Sequence, residues 1–236
     1  MPRPAKIKIF ADGADKQDML RLYADPLIKG FTTNPTLMRK AGIGHYEAFA
    51  RDILRHIADR PISFEVFSDD FGEMEAQALK IASWGPNVFV KIPVTNCAGE
   101  PAYDLVRRLA LRKVQVNVTA ILTLDQVRAV SAALEDHAAS FISVFAGRIA
   151  DTGRDPVPLM AAAVDTCHAF RRQELIWASP RELLNIYHAE SIGCHVITVT
   201  SDILKKLSLV DKDLAAYSLE TVRMFREDAV AAGFHL

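Results

Sequence analysis

No stretch of this sequence approaches the roughly 18 consecutive apolar residues of a membrane span. The N-terminal MPRPAKIKIF is cut short by Asp12 before it could form a signal-peptide core, so no leader is expected. Cysteine is scarce: Cys97, Cys167 and Cys194 are an odd number at wide spacing, with no CxxC. That excludes a disulfide framework or a zinc knuckle and points to a reducing, cytoplasmic setting. An excess of charge is missing too, since 28 Lys and Arg face 29 Asp and Glu for a net charge of −1. Nothing then draws the chain to nucleic acid or an anionic membrane, and small molecules are the expected partners. The histidines (His45, His56, His137, His168, His188, His195 and His235) form no HxH or HExxH pair, so no metal is expected. Only Gly13 follows Asp12 after the first apolar run, which leaves neither a GxGxxG turn nor a Walker loop.

What is present is alternation. Short β-branched runs recur at 7–12, 27–33, 63–68, 87–94, 114–119, 140–146, 175–179 and 194–200, which predicts eight strands. Amphipathic segments separate them; in 70–83, Phe71, Met74, Ala78, Ile81 and Ala82 fall on one helix face. Eight strands joined by helices imply a parallel sheet, and right-handed crossovers of one sense close it into a barrel. At 236 residues, with 50% hydrophobic and 24% charged residues, the chain has the size and composition of a single (β/α)8 TIM barrel spanning 1–236. The open doubly wound sheet is the rival, weakened by the missing phosphate turn. A last helical pattern at 211–232 follows the eighth unit and is free to pack on the barrel or on a neighbouring subunit.

Alternate side chains of a barrel strand face the helices and the interior, and the C-terminal strand ends form the mouth. Val114, Val116 and Val118 share one parity while Gln115, Asn117 and Thr119 share the other; Phe64 and Val66 alternate with Ser63, Glu65 and Phe67. The polar parity is read as inward. The inward polar residues at the strand ends are then Asp12, Thr32, Asn34, Glu65, Lys91, Asn117, Thr119, Ser143 and Ser179. Each alone reads as a satisfied core residue; together, on one barrel face, they point to a site, because a buried polar group without a partner costs about 1–3 kcal/mol.

Lys91 sits among Phe89, Val90, Ile92 and Pro93. Apolar surroundings favour the neutral amine, a nucleophile toward a carbonyl carbon. The competing reading is a lysine whose stem covers apolar surface while its head reaches solvent or pairs with Glu65. Asp12 and Glu65 are candidates for the proton transfers of imine chemistry. Arg148 and Arg181 follow the sixth and seventh strands, where barrels of this kind usually bind phosphate. Lysine and arginines together indicate a phosphorylated carbonyl compound.

The segments FADGAD, GFTTNPTL, SFEV, FVKIPVT, VNVTAIL, FISVFAGRI and WASPRE, in this order over almost the whole chain, resemble the transaldolase family, including its small subgroup with the fructose-6-phosphate aldolases. The resemblance implies that Lys91 forms a Schiff base and that Asp12 is the acid/base at the hydroxyl beside the cleaved bond. Glu65, with a water held by Thr119, would serve imine formation and hydrolysis. Thr32, Asn34, Asn117 and Ser143 would hold a dihydroxyacetone fragment, near the ring of Phe145. Arg148, Ser179 and Arg181 would hold phosphate. It implies sugar-phosphate substrates, no dissociable cofactor, and a homo-oligomeric ring, pentamer or decamer, with the C-terminal helix crossing between subunits.

The chain departs from the family pattern at Gly13, at Val144 and at Pro180, the last between Ser179 and Arg181, where it can re-aim the arginine. The subgroup that releases the free ketone carries Gln at the position of Glu65 and Tyr at that of Phe145. The expected activity is therefore transfer of a dihydroxyacetone unit between sugar phosphates. The alternatives are an aldolase that releases dihydroxyacetone and a non-catalytic sugar-phosphate-binding barrel.

Overall fold

The computed structural model describes residues 6–235, so residues 1–5 of the N-terminal stretch and residue 236 lie outside it. The strands are β1 (Lys8–Asp12), β2 (Ile28–Thr32), β3 (Ile62–Glu65), β4 (Val88–Pro93), β5 (Val116–Ile121), β6 (Ser140–Val144), β7 (Gln173–Trp177) and β8 (Val196–Thr200). All neighbours pair in parallel, and β8 returns to β1, closing the barrel in sequence order. The helices are α1 (Lys16–Tyr23), α2 (Pro35–Lys40), α3 (Tyr46–His56), α4 (Phe71–Ala82), α5 (Tyr103–Leu111), α6 (Leu124–Leu134), α7 (Ala146–Ala150), α8 (Val157–His168), α9 (Leu184–Ser191), α10 (Ser201–Lys205) and α11 (Leu214–Ala231). The expected (β/α)8 TIM barrel with an additional C-terminal helix is the fold found.

Local chemistry sets the helix starts. Asp15, Asn34, Asp70 and Asp213 each accept a hydrogen bond from the backbone N–H three residues on, and Thr123 with Gln126 forms a capping box. Strand ends shift from the sequence reading for backbone reasons. Lys113 takes a positive φ of 63° and the Val114 N–H donates to Leu109 O, so Val114 and Gln115 finish the turn after α5 before β5 begins. Ser179, also at positive φ, falls beyond β7, which begins two residues earlier than its apolar run.

The two parities build two cores. Outward residues such as Val90, Ile92, Val116, Val118 and Trp177 pack under the helices in the larger cluster. Inward residues Phe10, Phe89, Phe141, Ile176, Ala178 and Val196 fill the barrel interior. Phe10 meets Phe141 edge-on at 5.4 Å between ring centroids, and Phe89 lies 4.3 Å from Phe141. This aromatic plug closes the barrel below the polar strand ends. It depends on Gly30, where any Cβ would stand 2.6 Å from Phe10 Cζ.

Candidate active site

Above the plug, a cavity of about 450 Å3 opens at the C-terminal strand ends. Asp12, Thr32, Asn34, Glu65, Lys91, Asn117, Thr119, Ser143, Phe145, Arg148 and Ser179 all line it. The inward polar strand residues thus converge on one site, whereas Ser179 shares the parity of outward Trp177 and lines the cavity from beyond the end of β7, where its backbone takes a positive φ. Arg181, the remaining predicted site residue, is not on this wall: its guanidinium binds both carboxylate oxygens of Asp151 and donates to Ser179 O and Oγ at 3.1 Å. Ser179, just before Pro180 and Arg181, takes a positive φ of 61°.

Lys91 is only 6% exposed, on a strand whose outward neighbours belong to the core. Its Nζ lies 3.0 Å from Glu65 Oε2 and donates to Thr33 O at 2.8 Å. Of the two sequence readings, the head group therefore pairs with Glu65, and it does so inside the cavity rather than in bulk solvent. Register sets the pairing, because Glu65 and Lys91 stand side by side on β3 and β4.

Glu65 is itself held by a residue that carries no signal in the sequence pattern. The Tyr46 hydroxyl donates to Glu65 O at 2.8 Å and accepts from Glu65 N at 2.7 Å. β2 pairs with β3 only as far as Thr32 and Ser63 before its chain turns into α2, so the phenol occupies the place of the missing strand neighbour. Burial holds this phenol well above its ordinary pKa, so it stays a neutral donor.

Asp12, at the end of β1, accepts from Thr32 Oγ1 at 2.7 Å. Burial raises its pKa above the usual carboxylate range; the Thr32 hydrogen bond and the Lys91 charge pull it down, and the Glu65 charge pushes it up. A carboxyl shifted upward in this way is suited to taking and returning a proton. Across β6, β5 and β3, Ser143 Oγ donates to Asn117 Oδ1 at 2.7 Å and Asn117 Nδ2 donates to Ser63 Oγ at 3.0 Å. Asn34 commits its Oδ1 to the α2 cap, which leaves its amide N–H groups for the cavity.

Thr119 Oγ1 is buried in the cavity wall with no hydrogen-bond partner. An orphaned hydroxyl at a polar site is a place for a water or a substrate atom. At the other end of the cavity the Arg148 guanidinium lies 5.4 Å over the Phe145 ring. Helix α7, which bears Arg148, and the loop at Ser179 touch through Gly147, where a Cβ would be 1.5 Å from Ser179 O. Thr198, inward on β8, completes the wall; its parity with Val196 and Thr200 was readable, but a Thr amid β-branched residues carries no chemical signal of its own. Among the described residues no three His, Cys, Asp or Glu side chains converge as metal ligands, and no helix is long and apolar enough to cross a membrane.

Known proteins resemble this chain at two levels. A solved 2,3-dimethylmalate lyase of the PEP mutase/isocitrate lyase superfamily superposes with a TM-score of 0.59, covering 98% of this chain and 85% of that one, at 11% identity. That likeness concerns the fold alone. In sequence, a "Probable transaldolase" of Mesorhizobium japonicum is 35% identical over 218 residues, covering 89% of this chain and 94% of the relative. One of the same name from Dehalococcoides mccartyi is 31% identical over 215 residues, covering 89% and 96%. The family model described as Transaldolase/Fructose-6-phosphate aldolase matches residues 9–236. The match runs from the first strand past the last helix, and the chain belongs to the transaldolase/fructose-6-phosphate aldolase family.

Proposed function

We propose that the protein is a transaldolase that carries a dihydroxyacetone unit from a ketose phosphate to an aldose phosphate on Lys91. The observation that carries this reading is the buried Lys91 amine, 3.0 Å from Glu65 in a cavity that Asp12 also lines. Glu65 takes a proton from Lys91, and the freed amine adds to the ketose carbonyl. The carbinolamine hydroxyl then leaves as water, protonated by Glu65, with the orphaned Thr119 hydroxyl as the water's berth. Asp12 next takes the proton of the hydroxyl beside the carbon–carbon bond. That bond breaks, its electron pair moves into the imine to form an enamine, and an aldose phosphate departs. An acceptor aldehyde enters, the enamine carbon attacks it, and Asp12 returns the proton to the new alkoxide. Hydrolysis of the imine frees product and Lys91.

Asn34, Asn117 and Ser143 fit the hydroxyls of the three-carbon fragment, while Thr32 serves Asp12. Arg148 and Ser179 fit the phosphate, and Arg181 joins them only by leaving Asp151. Phe145 lacks the phenol that would help release the fragment, so the enamine waits for an acceptor. The test is borohydride reduction with fructose 6-phosphate, then mass mapping, together with an assay of glyceraldehyde 3-phosphate release with and without aldose-phosphate acceptors. The expected results are an adduct on Lys91 and release that depends on acceptor. An adduct with acceptor-independent release would give the aldolase reading, and no adduct with an accepted substrate would remove the Schiff base.

The protein is further proposed to be a homo-oligomer. None of the residues of α11 is buried, and Leu214, Val222, Phe225 and Val230 are all more than half exposed, as is Phe234 beyond it. Such a run of exposed apolar side chains is what a second copy would cover. Sedimentation of the full chain against Val222→Glu/Phe225→Glu tests this, with dissociation expected and an unchanged mass refuting it.

A further inference from the structure

Asp12 is the terminus of a hydrogen-bonded line that runs across three strands. Thr32 Oγ1 lies 2.7 Å from Asp12 Oδ1 and 2.5 Å from Thr198 Oγ1. Thr32 and Thr198 are both buried, at 3% and 6% exposure. Strand register builds the line: Asp12 pairs with Thr32 across β1 and β2, and β8 pairs with β1 so that Thr198 stands beside Phe10, the residue below Asp12 on the inward face.

A hydroxyl has one proton to give and two lone pairs to receive with. An ionised carboxylate only accepts. When Asp12 is ionised, Thr32 must therefore give it its single proton, and in the Thr32–Thr198 contact Thr198 must be the donor. When Asp12 carries a proton, that proton can point at Thr32, whose own is then released toward Thr198. In the first state Thr198 presents only lone pairs to the cavity it lines; in the second its O–H is free to turn into it. Among the described residues, the charges that act on Asp12 are those of Lys91 on β4 and Glu65 on β3.

We propose that Thr198 is a positioning residue for Asp12: its hydroxyl fixes the direction of the Thr32 hydrogen bond, and both bonds reverse when Asp12 changes protonation state. The role rests on the transaldolase reading, in which Asp12 alternates between the two states in each turnover. An incoming ketose brings an alcohol that has a proton to give, matching the accepting state. The acceptor brings an aldehyde oxygen that has none, matching the donating one.

The experiment compares Thr198→Val, which keeps the side-chain shape without the hydroxyl, with Thr198→Ser, which keeps the hydroxyl. The Asp12 carboxyl is titrated by carbon-13 NMR in the free protein, and kcat and KM are measured across pH. Thr198→Val should move the Asp12 midpoint upward and the acid limb of kcat with it, because the hydrogen bond favouring the ionised form is weakened. It should lower kcat by roughly two- to tenfold, the range of one hydrogen bond, with KM little changed. Thr198→Ser should restore both, and Thr198→Ala, a second hydroxyl-free variant, should behave as Thr198→Val. A wild-type titration in Thr198→Val and Thr198→Ala would overturn the proposal, as would a Ser variant that fails with them. The NMR titration needs no turnover, so failure of the transaldolase reading, seen as a missing borohydride adduct, is told apart from failure of this one.

Discussion

Replacing Gly147 by alanine tests the join between the segments that bear Arg148 and Ser179, helix α7 and the loop after β7. The added Cβ would stand 1.5 Å from Ser179 O and 2.7 Å from its carbonyl carbon, both backbone atoms, and 3.3 Å from Arg181 Cζ. Non-bonded contacts sit at about 3.5 Å, so the two segments must part by about 2 Å. Overpacking of this kind costs about 1–3 kcal/mol, against a gain of about 0.4–1 kcal/mol from a stiffer unfolded chain. For a chain of this size a net loss of about 1–2 kcal/mol lowers Tm by roughly 2–8 °C. The functional loss has a ceiling, because moving Arg148 away can remove no more than its contact with phosphate. A charge-assisted hydrogen bond is worth about 1.5–3 kcal/mol, or roughly 10- to 150-fold in KM. The assay is thermal unfolding together with KM for fructose 6-phosphate and for unphosphorylated dihydroxyacetone, with Gly44→Ala as control, since a Cβ there meets nothing within 4 Å. Gly147→Ala should lower Tm and raise KM only for the phosphorylated donor. Arg148→Ala should reproduce the KM effect, and the double variant should add little to either. A Gly147→Ala protein as stable as Gly44→Ala would refute the packing argument, and equal KM changes for both donors would remove this helix from phosphate binding.

Three further outcomes are expected. The Asp12 carboxyl titrates above its value of 3.8 in the unfolded chain, so between the two values the folded state binds more protons and stability falls as pH rises. Asp12→Asn should accordingly be more stable than wild type at neutral pH, with the difference vanishing below about pH 3.8 in urea melts; a pH-independent difference would contradict the burial argument. Tyr46→Phe leaves Glu65 N and O without their partner and should lose about 1–3 kcal/mol by urea unfolding, whereas an unchanged midpoint would show that the strand end satisfies itself. Phe145→Tyr should raise the acceptor-independent release of glyceraldehyde 3-phosphate; no change in a protein that still turns over donor with acceptor would remove the ring from the choice between transfer and release.

Much of this protein is determined by the sequence alone, because its governing signals are local. A two-residue period reports which side of a strand is buried, and that is why Lys91, Glu65, Asp12, Asn117 and Ser143 could be placed on one inner face from Val, Ile and Phe neighbours. In the structure the same period separates Phe89 and Phe141, which plug the barrel, from Val90 and Ile142, which meet the helices. Relations between segments distant in the chain are another matter. That Lys91 pairs with Glu65 rather than reaching open solvent depends on the β3–β4 register. That Tyr46 substitutes for a strand at Glu65 depends on where β2 leaves the sheet, and that Arg181 turns to Asp151 depends on the backbone of Ser179. The Thr198–Thr32–Asp12 line needs β8 to close on β1, 166 residues separating its two threonines. Such contacts are fixed by barrel closure and backbone geometry, which bring side chains within hydrogen-bond reach without leaving any pattern in the sequence between them.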